Sequence, residues 1–119
     1  MNAPPPTSQL RPGALLVSGI INVGGALLVL FAMPGNANDE RIAAAWALVQ
    51  FLSGVWAGVL GANSPFKHGV VAGLPALALG FAFAGRLMPG HYLLISWALA
   101  PVAALIAAAL MRFMRRRAP

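Results

Sequence analysis

The sequence predicts an all-α fold: a bundle of four transmembrane helices with both the N- and C-termini on the cytoplasmic side. Three observations carry that prediction. Hydrophobic residues make up 60% of the 119 positions and charged residues only 8%, where an ordinary soluble domain carries about 25% charged residues. No ionisable side chain lies between Leu15 and Met33, Ile42 and Asn63, Gly69 and Gly85, or Tyr92 and Met111. Each run comes close to the ~20 residues with which a helix crosses a ~30 Å hydrocarbon core. Finally, Pro34-Gly35, Ser64-Pro65 and Pro89-Gly90 punctuate the runs, as helix breakers between spans should. A soluble bundle would need a charged face on every helix, and none of the four has one.

Residues 1–12 hold four prolines among polar residues, and are predicted to be a disordered N-terminal lead-in. The transmembrane domain is placed at 13–114, with its first helix at about 13–33. Arg11 ahead of an apolar run invites a signal-peptide reading. That run exceeds the usual 7–15 residues, and Met33-Pro34-Gly35 is a poor small-x-small cleavage site, so the helix is read as retained. Asn36-Ala37-Asn38-Asp39-Glu40-Arg41 forms the first loop, and Asp39 and Glu40 stand where acids favour a helix N-terminus. The second helix covers about 42–62. The segment from Asn63 to His68 is read as a turn, because the residue before proline avoids the helical region. The third helix covers about 69–87 and ends at Met88-Pro89-Gly90. The fourth covers about 91–111, followed by a basic cytoplasmic tail at 112–119. Connections this short make successive helices antiparallel neighbours.

Charge sets the orientation. The N-terminus, second loop and C-terminus share one side and carry Arg11, Lys67, Arg112, Arg115, Arg116 and Arg117, against Arg41 and Arg86 on the other. Six cations against two place the first side in the cytoplasm. The expected location is the cell membrane, the inner one in a Gram-negative cell. Trp46, Tyr92 and Trp97 then fall toward the outer interface, where amphipathic rings are favoured. Lys67 with its neighbour His68, and Arg112, Arg115, Arg116 and Arg117, are read as topology signals touching anionic lipid headgroups. That role accounts for the basic tail without nucleic acid as a partner.

Small residues recur at steps of three and four: Gly54, Gly58 and Gly61 in helix two, and Gly69, Gly73, Ala76, Gly80 and Ala84 in helix three. Such steps line one helix face, and close backbone approach at small residues replaces the hydrophobic drive that lipid does not supply. The preferred reading packs the two stripes on each other within one chain; a contact between chains is the alternative. Met33-Pro34-Gly35 recurs as Met88-Pro89-Gly90, and Trp46-Ala47-Leu48 as Trp97-Ala98-Leu99. The recurrence is either a parallel two-helix repeat or a coincidence of an Ala/Leu/Gly-rich chain. Pro75 and Pro101 each remove a backbone donor inside a helix and should bend it.

Asn22, Gln50 and Ser53 are the strongly polar side chains near the bilayer centre, with Gln50 and Ser53 on one face of helix two. They make either a hydrogen-bonded clip, the preferred reading, or a polar path between helices one and two. His68 and His91 are predicted at opposite membrane faces and so cannot share a metal. With no cysteine in the chain, neither a metal site nor a cofactor is expected.

Two families of similar size serve as contrasts. Small multidrug-resistance transporters depend on a glutamate inside the first helix, where this chain has Asn22. Small fluoride channels carry a threonine/serine-rich phenylalanine motif that is missing here. Gly54-Val-Trp-Ala-Gly58-Val-Leu-Gly61 followed by Lys67-His68-Gly69-Val-Val-Ala-Gly73 resembles small four-helix prokaryotic membrane proteins with a glycine-rich second helix and a His-Gly-x-x-x-Gly third helix. That likeness covers about 20 residues; it implies the fold and carries no activity with it. With no mid-membrane charge to relay protons or ions, the expectation is a non-enzymatic structural or accessory membrane protein. It would act as a homo-oligomer or beside a membrane protein partner. A passive channel or small transporter built as a homo-oligomer is the alternative.

Overall fold

The computed structural model describes residues 10–32, 39–84 and 89–117. The predicted N-terminal lead-in up to Gln9, the Met33-Pro34-Gly35 break, most of the first loop, Arg86 and Met88 lie outside the described residues. Four helices follow in order: α1 (Pro12–Ala32), α2 (Asp39–Leu60), α3 (Pro65–Leu79) and α4 (Gly90–Arg117). A five-residue π-helical turn at Gly80–Ala84 extends α3, and no strand occurs among the described residues. All four helices, α3 taken through Phe83, are long and apolar enough to cross a membrane. At 1.5 Å per residue the 21 residues of α1 measure about 32 Å.

Three boundaries differ from the sequence expectation, each for a local reason. α2 begins at Asp39 because the acidic pair enters the first turn itself. α3 begins at Pro65, so Phe66, Lys67 and His68 are helical and not part of a turn. Pro65 stops α2 from continuing, yet its fixed φ and missing N–H suit the first helical position, with Ser64 as N-cap. The connection shrinks to Gly61–Ser64, where the Ser64 N–H donates to the Gly61 carbonyl at 3.1 Å. α4 runs on through Arg117, so Arg112–Arg117 forms its last turns and not a separate tail. Cations at a helix C-terminus favour that extension.

Packing centres on α4. Its buried face steps through Leu93, Ser96, Ala100, Ala103, Ala104 and Ala107, the three-and-four spacing of one helix side. The glycine stripes do not pack on each other as expected. A methyl group added at Gly54 would collide with the Ala100 backbone, and one at Gly58 with that of Ala104. Gly69 on α3 stands equally close to Ala100 and Pro101. Both stripes therefore converge on the alanine row of α4. Small side chains on all three helices let three backbones approach, which a two-helix seam would not need. Gly73 faces Trp97, Ala100 and Gln50; Gly80 faces Leu93 and Trp46; Gly61 alone meets α3, at the His68 ring.

Trp46 is fully buried with Ala26, Val29, Ile42, Val49, Ala76 and Leu93, so it is a core residue and not an interfacial anchor. Gly80 makes room chiefly for the Leu93 side chain, with the Trp46 ring beside it. Its repeat counterpart Trp97 is half-buried and donates its indole N–H to the Val70 carbonyl at 3.0 Å, so the two tryptophans hold different environments. Tyr92 ties the start of α4 to α2 by donating to the Ala43 carbonyl at 3.0 Å.

Candidate functional site

Two polar assemblies stand out in an otherwise apolar bundle. The first lies at mid-height. Asn22 is the middle residue of α1, and Gln50 and Ser53 sit at the middle of α2. All three side chains are fully buried. The Asn22 amide donates to Gln50 Oε1 at 3.0 Å and to Ser53 Oγ at 2.8 Å. Its own Oδ1 accepts the Ala76 backbone N–H at 2.7 Å. Gln50 Nε2 donates to the Gly73 carbonyl at 3.2 Å, and Ser53 Oγ donates to the Val49 carbonyl at 2.6 Å.

The two backbone groups recruited here, the Gly73 carbonyl and the Ala76 N–H, flank Pro75. A proline inside a helix lacks its N–H, so Pro75 leaves the Val71 carbonyl without its helical donor and bends the backbone around it, where neighbouring polar groups can take partners from other helices. The two amide side chains supply those partners from α1 and α2. Both amide protons of Asn22 and the polar atoms of Ser53 are engaged, and none of the three side chains reaches the surface. The sequence brought these three residues forward as a set; their engagement with α3 was not foreseen. The available signal was Pro75, which bends α3 at the depth of those amides, although the carbonyl it frees is that of Val71 and the groups bonded are the Gly73 carbonyl and the Ala76 N–H.

The second assembly lies at the end of the bundle where α1 starts, α2 turns into α3, and α4 finishes. His68 is fully buried, which corrects its reading as a headgroup-facing residue. Its Nε2 lies 2.9 Å from the Arg11 backbone nitrogen, and its Nδ1 lies 2.8 Å from the Ser64 carbonyl oxygen. A backbone N–H can only donate, so Nε2 accepts; the proton then sits on Nδ1 and is donated to Ser64. The ring is held as one neutral tautomer that pins the start of α1 to the start of α3. Gly61 makes the pose possible, since a Cβ there would occupy the imidazole. Sequence reasoning missed this role by assigning His68 to a turn. The available signal was Pro65 as a first helical residue, which puts His68 one turn into α3.

Around this knot the basic residues divide. Arg11, Asn63, Arg112 and Arg115 line a cavity of about 350 Å³, and Arg112 reaches the Ala62 carbonyl at 3.5 Å. Arg117 lies over the Phe113 ring at 5.4 Å, and Lys67 and Arg116 are exposed elsewhere. His91 is exposed at the start of α4, far from His68. No group of three or more metal-ligating side chains forms among the described residues. Of the buried hydroxyls, Ser18 donates to Ala14, Ser53 to Val49 and Ser96 to Leu93, all to carbonyls of their own helices. Compared with family models, curated proteins and solved structures, the chain finds no match.

Proposed function

We propose that this is a multi-pass protein of the cell membrane, the inner membrane in a Gram-negative cell. Both termini lie in the cytoplasm, and the protein serves as a structural or accessory subunit that associates with copies of itself or with another membrane protein. The observation that carries this reading is the closed junction at mid-height. Asn22, Gln50 and Ser53 are the groups that would line a solute path, and they bond to one another and to α3 behind full burial. A hydrogen-bonded clip of this kind fixes helices; it offers no polar surface to a permeant. The reading assigns no reaction to the protein, because the buried serine hydroxyls are spent on their own helices and no nucleophile, base and orienting group converge among the described residues.

The cytoplasmic placement of the termini rests on the six-to-two cation asymmetry. It is tested by a periplasmic reporter fused after Pro119, expected to be inactive; an active fusion reverses the orientation. The role is tested by reconstituting the protein into liposomes and measuring flux across a broad solute panel. No flux is expected. Flux that Gln50→Leu abolishes would overturn the reading in favour of a passive channel or small transporter. Cross-linking in native membranes is expected to yield adducts with a second copy or with a larger membrane protein.

A further inference from the structure

The cavity at the arginine-rich end is more specific than a basic tail. Its volume of about 350 Å³ falls within the ~300–1,000 Å³ typical of ligand clefts. Arg11 comes from α1, Asn63 from the α2–α3 turn, and Arg112 and Arg115 from α4, over an apolar floor of Val59 and Ala108. Ala108, Arg112 and Arg115 share one face of α4 by their steps of four and three, whereas Arg117 lies on the opposite side and Arg116, at the edge of that face, does not line the cavity.

Three arginines line one cavity, and like charges gathered there repel each other unless an anion sits among them. The chain has two side-chain carboxylates, Asp39 and Glu40, and both lie in the first turn of α2. The cavity lies at the other end of that 22-residue helix, where Val59 lines it, about 30 Å from Asp39 at 1.5 Å per residue. No side-chain carboxylate of this chain can therefore neutralise the cavity. Two of the arginines are also positioned in advance. Arg112 reaches the Ala62 carbonyl, and the Arg11 backbone is fixed by the His68 ring, whose own pose depends on Gly61 and the Ser64 carbonyl. Guanidinium forks match phosphate oxygens in geometry as well as in charge.

The geometry points to a binding site for a phosphate-bearing anion, formed by Arg11, Arg112 and Arg115, with His68 as the residue that positions Arg11. Two sources share that chemistry: the headgroup of an anionic phospholipid and a free phosphate. Only the lipid source rests on the proposed placement of this end at the headgroup layer.

The full chain in non-ionic detergent is titrated with short-chain phosphatidylglycerol, with phosphatidylcholine as the zwitterionic control, and separately with inorganic phosphate. Binding is read by native mass spectrometry and by the shift in melting temperature. Phosphatidylglycerol, inorganic phosphate or both should bind, and phosphatidylcholine should not. Arg112→Gln with Arg115→Gln should weaken binding on the order of tenfold or more, given the worth of each arginine beside an anionic phosphate. Arg116→Gln with Arg117→Gln removes the same charge and should change binding less than about twofold if the cavity, not diffuse attraction, holds the anion. Retention of phosphatidylglycerol alone identifies a lipid site; retention of inorganic phosphate with the same arginine dependence identifies a free-phosphate site. Equal loss in the two double variants, or binding of neither anion, overturns the proposal. His68→Leu should lower affinity with helicity retained, and His68→Gln, which keeps an acceptor for the Arg11 N–H, should restore part of it. Should His68→Leu not fold, Arg11→Gln tests the same arm, and unchanged affinity there removes Arg11 and His68 from the site. The detergent measurement is independent of orientation, so the reporter fusion can fail while the site stands, and the reverse.

Discussion

α1 and α4 are attached to the bundle by opposite means. α4 is held chiefly by backbone proximity: Gly54, Gly58 and Gly69 bring two helices onto its alanine row, while Tyr92 and Trp97 add side-chain bonds, to the Ala43 and Val70 carbonyls. α1 is held by polar atoms: Asn22 at mid-height and the Arg11 N–H at the arginine end. On α1 itself a Cβ added at Gly13, Gly19 or Gly24 would enter open space, and only one added at Gly25 would meet a neighbour, the Val49 side chain, at 2.9 Å. The lesson is that glycine content does not report helix contact in this bundle. Glycine matters where the neighbour is backbone, as at Gly54, and hardly at all where no neighbour stands, as at Gly24.

That contrast can be broken in order of size. Gly58→Ile should be the most damaging change, since the added atoms meet the rigid Ala104 backbone; a loss on the order of 3 kcal/mol or more is expected. It is read as lost helicity or a lowered melting temperature in detergent, and an unchanged transition would remove the α2–α4 seam. Asn22→Leu should come next, at about 1–3 kcal/mol, because it strands the buried Ala76 N–H and one acceptor of Gln50. Reversible unfolding in mixed micelles measures it, and selective exposure of α1 to protease or hydrogen exchange should accompany the loss. Ser53→Ala removes a single interhelical bond and should cost about 0.6 kcal/mol, the average for such bonds in membrane proteins. Gly19→Ala should be neutral or stabilising by up to about 1 kcal/mol, since the methyl enters open space and alanine favours the helix. A large destabilisation by Gly19→Ala would mean that α1 contacts a partner helix through that face, which sharpens the association proposal.

Much of the fold was legible because bilayer thickness and charge exclusion act on local sequence. Four uncharged runs separated by proline give four helices, and the structure departs from that division only at helix ends. The Asn22, Gln50 and Ser53 set was legible for the same reason: polar side chains deep in apolar runs must find each other. Its partners on α3 were not, since the sequence shows that Pro75 frees backbone groups but not which side chains stand at that depth. Trp46 and His68 misled in one way. Both carry amphipathic rings that statistics place at an interface, and both lie in the core, where Gly61 makes room for the imidazole and Gly80 for Leu93 beside the indole. A glycine's neighbour lies many residues away and leaves no local trace.

The sequence alone thus determined the number of helices, their approximate limits and the depth of the polar residues, because hydrocarbon imposes those demands on each segment separately. Only the tertiary structure decided which helix stands at the centre, what Gly61 makes room for, and which three of eight cations share one cavity. Those outcomes depend on the rotation of each helix about its own axis, and that rotation is set by the backbones it meets rather than by the solvent it faces.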